Sequence, residues 1–262
     1  MDKSDRPSLL TERFNCSHTA RLRSATVDSI FRTAYEDDYP TEVKPSAFYS
    51  RKTLLNVLRA LRTDPCKTLV DLGCGHGGCS LWLAQQLGSN LIGIDLSDVG
   101  VKLAQERASQ LNLGGRARFQ EGDITATGLP ESSCDAVMSL DVLVFVPNKE
   151  AAIGEIARIL RPGGRLAFTT WEQSGYSQRL GAEQLSNYKP LLTSNGFQVE
   201  TYEEPINWRH QQQKACEAIV ASEMKLCLEM GLDDATRYVD MARGSLVDLP
   251  FRRYIFGAGR RL

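Results

Sequence analysis

Within VDLGCGHGGCSLWLAQQLG, residues 70–88, Gly73, Gly75 and Gly78 fall in the order G-x-G-x-x-G, and Asp95 follows roughly twenty residues later. Read in that frame, the turn offers backbone N–H groups to a pyrophosphate and Asp95 offers a carboxylate to a ribose, the chemistry of a dinucleotide such as NAD. Asp71 opens a second frame, D-x-G-x-G-x-G, which ends on Gly77 and suits S-adenosylmethionine. A carboxylate held near the glycine turn repels a phosphate and attracts an ammonium or a sulfonium, so the charge of Asp71 favours the second frame. Asp123, in EGDIT, adds another acid behind a further apolar run, placed for contacts to an adenine edge.

These residues need elements to hold them. TLVDL, NLIGID, ARFQEGD and CDAVMSL are short apolar runs, and amphipathic stretches near residues 78–87, 99–111 and 149–160 alternate with them. That alternation predicts a parallel sheet with crossover helices, and ligands in such sheets sit beyond the carboxyl ends of the strands. A Pro-Gly-Gly turn at residues 162–164 leads into RLAFTTW, and FQVETYEE and RRYIFGAG supply two further strands. The leucine spacing of residues 45–62 predicts a helix ended by Thr63-Asp64-Pro65. Four parts result: a helical N-terminal arm or lid over 1–62, a nucleotide-binding core over 63–207, a helical insertion over 208–249 and a last core strand over 250–262.

The chain has 262 residues, 42% hydrophobic and 24% charged, with a formal net charge of −1. That composition fits one globular α/β unit with additions and excludes a broad basic footprint for nucleic acid. The polar amino terminus and the lack of a long apolar run lead us to expect a cytoplasmic protein that does not enter a membrane. The cysteines, Cys16, Cys66, Cys74, Cys79, Cys134, Cys216 and Cys227, form no C-x-x-C pair. They read as free thiols, and no metal site is expected.

From Thr68 to Trp171, through DLGCGHGG, GIDLS, EGDITATGLP, SCDAVMSLDVLVFV and EIARILRPGGRLAFTTW, the sequence resembles the class I S-adenosylmethionine-dependent methyltransferases that act on small molecules. The resemblance implies a Rossmann-like, seven-stranded and mostly parallel sheet with an antiparallel last strand. It implies that Gly73, Gly75 and Gly77 lie against the aminoacyl part of the cofactor. Asp95 with Leu96 would then hold the ribose, Asp123 and Ile124 flank adenine, and Leu140 stand beside the methionine end.

In that arrangement Asp141, after the fourth strand, stands between cofactor and substrate, and Glu172 faces the mouth of the pocket. With His18 in the arm and His210 at the start of the insertion, these are the candidate bases for an oxygen or carbon nucleophile. Related enzymes often carry a histidine pair shortly after the fourth strand, where this chain reads Val144-Phe145-Val146, so a histidine mechanism is not carried over. Tyr35, Tyr39, Phe145, Trp171, Tyr176 and Trp208 are candidates to line an apolar or aromatic substrate pocket. The expected activity is methyl transfer to an O, N or C atom of a small metabolite by a monomer or homodimer. The competing readings are a cofactor-binding protein without catalysis and an NAD-dependent dehydrogenase.

Overall fold

The computed structural model describes residues 11–262 except 13, 16, 20–23, 45–46, 63–66, 174 and 178–181, and not the side chains of 175–177 and 182. Cys16 and Cys66 therefore lie outside the described residues. A seven-stranded sheet forms the centre, in the spatial order β3-β2-β1-β4-β5-β9-β8. β1 (Thr68–Leu72), β2 (Asn90–Asp95), β3 (Ala117–Glu121), β4 (Cys134–Leu140) and β5 (Leu160–Glu172) run parallel. β9 (Arg253–Arg261) inserts antiparallel between β5 and β8 (Phe197–Glu203). The sequence did not foreshadow a separate small hairpin, β6 (Gly175–Ser177) with β7 (Ala182–Gln184).

The crossovers are short helices with side-chain or glycine caps. α3 (Gly78–Leu87) starts from Gly77 and stops at Gly88, both in the left-handed region that glycine adopts without strain. Ser97 caps α4 (Asp98–Gln110) by accepting from the Gly100 N–H, and Asn148 caps α5 (Lys149–Ile159) by accepting from the Ala151 N–H. α6 (Lys189–Ser194) precedes β8.

The pleat of β1 divides the core. Leu69 joins Leu81, Leu83 and Met138 on one face of the sheet, whereas Val70 and Leu72 join Ile94, Ile153 and Phe168 on the other. α2 (Arg51–Leu61), capped by Ser50, buries Leu54, Val57 and Leu61 in the first of these layers. It is shorter than the spacing suggested: residues 47–50 lead into it without helix.

A second body of helices stands over the strand ends. α1 (Ala25–Tyr35) buries Val27, Ile30, Phe31 and Ala34, a spacing of one helix face. It packs against α7 (Trp208–Ala221), α8 (Glu223–Met230) and α9 (Leu232–Asp248) through Ala215, Ile219, Leu226, Tyr238 and Val239. The arm and the insertion, far apart in sequence, thus form one helical cap, while α2 belongs to the core. Among the described residues no helix is long and apolar enough to cross a membrane.

Candidate active site

The sheet order reverses between β1 and β4, and the loops after these two strands meet there. Gly73 follows β1 with φ +86°, and a Cβ on it would stand 2.2 Å from a Val142 methyl of the loop after β4. No other residue type fits that position. The Asp95 carboxylate accepts from the Gly75 N–H at 2.7 Å and from the Ser97 N–H at 2.8 Å, so the glycine turn and the end of β2 are held as one unit.

Between these strand ends and the cap lies a cavity of about 460 Å³. At the strand-end side it is lined by Gly73, Gly75, Asp95, Leu96, Asp123 and Ile124. Leu140, Asp141, Val144, Phe145 and Trp171 continue the wall, and Gln212, Ile219, Tyr238, Met241 and Ala242 close it from the cap. His18 reaches the cavity from the arm and lies against the glycine turn, since a Cβ on Gly75 would meet its Cε1 at 2.7 Å. Its ring stands edge-on to His76, 6.2 Å between centroids, and the His76 Nδ1 is 3.3 Å from the Arg107 guanidinium. Asp123 accepts from the backbone N–H and hydroxyl of Thr125, both at 2.8 Å, which fixes its side chain on the rim.

Several residues singled out by sequence stand elsewhere. Asp71, expected beside the ligand, does not line the cavity. The pleat that sends Leu69 toward α3 sends Asp71 the same way, where burial pushes its carboxyl up to about 7. The acids that line the cavity at the ends of β2 and β3 are Asp95 and Asp123. Gly77 is also off the cavity, packed on Ala104 as the cap of α3.

Glu172 is buried at a junction of strands, accepting from the Tyr188 N–H and the Tyr202 hydroxyl with Arg253 at 3.4 Å, and does not line the cavity. His210 is exposed on the outer side of α7. Tyr35 donates its hydroxyl to the Phe48 carbonyl at 2.6 Å, Tyr39 donates to Asp28 at 2.7 Å, and the Trp208 Nε1–H donates to Glu204 at 2.7 Å. None of the three lines the cavity. The side chain of Tyr176 lies outside the described residues.

Asp141 does line the cavity, but its carboxylate is engaged. Its Oδ1 accepts from the hydroxyls of Tyr254 and Thr169, each at 2.7 Å, and its Oδ2 accepts from the Phe48 N–H at 3.0 Å. Burial and the adjacent carboxylate push the Tyr254 phenol well above its usual range, so it stays a donor. The residue sits at φ +63°, a backbone that Asp tolerates better than most side chains. Its role in this geometry is to hold Phe48 over Trp171, edge to face at 6.1 Å.

Sequence reasoning missed Phe48, Gln212 and Arg252. Arg252 lies over the Trp171 ring at 4.9 Å, and all three line the cavity. Gln212 left one trace: with Gln211 it is polar on a buried face of α7 otherwise made of Trp208, Ala215, Cys216 and Ile219. Lys149 fixes the loop before α5 by donating to the carbonyls of Val146 and Glu183, and burial pulls its amine down to about 8.

Comparison with known proteins matches residues 70–168 to the methyltransferase domain family. The sheet, with β9 antiparallel beside β5, is the seven-stranded, mostly parallel arrangement that the resemblance implied. The chain is 37% identical over 105 residues to a chloroplastic tocopherol O-methyltransferase of Arabidopsis thaliana, a match that spans 40% of this chain and 30% of that protein. An O-methyltransferase of Pyrenophora dematioidea is 28% identical over 200 residues, 70% of this chain and 73% of the relative. In structure, the [4+2]-cyclase SpnF superposes with a TM-score of 0.70 at 24% identity, covering 80% of each chain.

The residues present fit the cofactor that this family implies. Gly73 and Gly75 face the cavity with backbone alone, since a Cβ on either would meet Val142 or His18, and Asp95 and Asp123 supply carboxylates suited to ribose hydroxyls and to a cationic ligand.

Proposed function

We propose that this chain is an S-adenosylmethionine-dependent methyltransferase that acts on an O, N or C atom of a small, mostly apolar organic metabolite. The observation that carries the reading is a single cavity shared by the glycine turn with its Asp95 and by the inner face of the helical cap. One end is acidic and glycine-walled, and the other is apolar, as a pocket for a cationic cofactor and an organic acceptor requires. The relatives' methyl-transfer names support it. Location in the cytoplasm, as a monomer or homodimer, belongs to the same proposal.

When bound, the cofactor supplies a methyl group on a sulfonium, which leaves a neutral thioether on transfer. Asp95 and Leu96 would hold its ribose, Asp123 and Ile124 its adenine, and Gly73, Gly75 and Leu140 its amino-acid end. The chain's own contribution is positioning. Phe48, Phe145 and Trp171 wall the acceptor side, and Asp141 keeps Phe48 in place. With both Asp141 oxygens already accepting, the arrangement suits an acceptor that is itself a ready nucleophile.

Calorimetry tests the cofactor directly. S-adenosylhomocysteine is expected to bind and NAD is not, and Asp95→Asn is expected to weaken the uptake by roughly tenfold or more, the size of one charged hydrogen bond lost. Tight uptake of NAD with indifference to S-adenosylhomocysteine overturns the reading. The cyclase among the structural neighbours keeps a second reading in view, cofactor binding without methyl transfer. It gains if labelled cofactor is retained but no member of a panel of phenols, amines and enols is methylated.

A further inference from the structure

Gln212 is 1% exposed and lines the cavity, yet neither its amide nitrogen nor its amide oxygen has a hydrogen-bond partner. The Trp171 Nε1–H, on a side chain 5% exposed in the same wall, also lacks one. Buried polar groups left without partners are disfavoured, so a chain that keeps them in its ligand cavity keeps them for something it does not itself contain. The two side chains belong to one neighbourhood. Gln212 stands one helical turn beyond Trp208, whose ring packs on Tyr254 at 5.8 Å, and Tyr254 packs on Trp171 at 5.0 Å.

The nearby charges have their own engagements. Asp141 accepts from Tyr254, Thr169 and Phe48, and the Arg252 guanidinium lies on the Trp171 face and donates toward the Ser245 carbonyl at 3.5 Å. The rest of this end is formed by the apolar Val144, Ile219, Met241 and Ala242 together with Tyr238 and Ser245.

Resting on the reading of the cavity as a methyl acceptor's seat, we infer that Gln212 and Trp171 select a neutral acceptor with an apolar body and a carbonyl beside a hydroxyl. The carbonyl accepts from the Trp171 Nε1–H and the Gln212 amide N–H, and the hydroxyl donates to the Gln212 amide oxygen. An amide that offers both donor and acceptor matches that pair, whereas a carboxylate supplies acceptors only. Gln212 is on this account a specificity-determining residue that takes no part in bond making.

The test titrates three probes, 2-acetyl-1-naphthol, naphthalene and 1-hydroxy-2-naphthoate, into the full chain with and without saturating S-adenosylhomocysteine. Wild type is compared with Gln212→Met, which keeps the length and removes the amide. The hydroxy-ketone is expected to bind wild type most tightly and to lose roughly tenfold in the variant, while naphthalene binding is unchanged or improved. The variant's Tm is expected to be equal to or above that of wild type, since an unpartnered amide has been removed from the interior. Equal losses for the hydroxy-ketone and naphthalene, tighter binding of the naphthoate, or a fall in Tm overturns the inference. Binding of S-adenosylhomocysteine is read in the same titrations, so a failure of the cofactor reading is seen separately from a failure of this one.

Discussion

At the scale of single residues, the protein places its carboxylates in opposite environments. Asp95 has backbone N–H partners at the cavity, while Asp71 is shut between β1 and α3 with its carboxyl raised to about 7. Because that value lies above the unfolded 3.8, the folded chain holds an extra proton between the two. Stability should therefore decline as pH rises from about 4 to about 7 and level off above, as far as this group is concerned. Asp71→Asn is expected to remove the decline and to gain on the order of 2 to 4 kcal/mol at pH 8. Melting temperatures of both proteins from pH 4 to pH 8 check it, and parallel curves would show that Asp71 is not held neutral. The sign is opposite for Glu155, which Arg158 and Thr127 lower to about 2, so its contribution is lost as pH falls from 4.5. On the proposed reading, the attraction for a cationic cofactor expected of Asp71 passes to Asp95 and Asp123, which line the cavity.

At the scale of elements, the docking of α1 on the insertion joins two distant segments into one cap. Glu229, at the end of α8, accepts from the Ser24 hydroxyl, from the Thr26 N–H at 3.2 Å and from the Thr26 hydroxyl at 2.5 Å. Ser24 also caps α1 by accepting from the Val27 N–H at 3.0 Å, so one carboxylate fixes both the start of α1 and its seat. Glu229→Ala should lower stability by about 1 to 3 kcal/mol. Limited proteolysis is the sharper measurement, since faster cleavage between residues 36 and 50 with an intact core would place the loss in the cap. Unchanged cleavage there would mean that apolar packing alone seats the helix. The alternation of strands and helices was legible because β1, β2 and β4 are apolar runs of strand length and α4 and α5 carry side-chain caps. Neither hairpin β6-β7 nor the late start of α2 was legible, because such short segments take their conformation from contacts distant in sequence.

For the whole molecule, the cap and the core are two apolar bodies with the cavity as their seam. Phe31 is 3% exposed in the cap and touches Phe48, which lines the seam, at 5.8 Å between ring centroids. Phe31→Ala should cost about 3 to 5 kcal/mol, and the loss should spread through the cap before it reaches the sheet. Hydrogen exchange reads this as a joint loss of protection in α1 and α7–α9 with β1, β4 and β5 unchanged. Equal loss in all of these elements would mean that cap and core unfold as one unit.

By itself the sequence determined the glycine turn, the acids at the strand ends and the order of strands and helices, because those are written in local spacing and in apolar period. Which of those side chains meet was decided only when the sheet pleat and the cap packing were in place. Asp71 and Leu69 share a face two residues apart, so the pleat took the acid away from the cavity, and no motif records which way a strand will turn. Gln212, Phe48 and Arg252 came to one cavity from three distant segments through burial of apolar faces, a force without direction that fixes neighbours only in the folded chain.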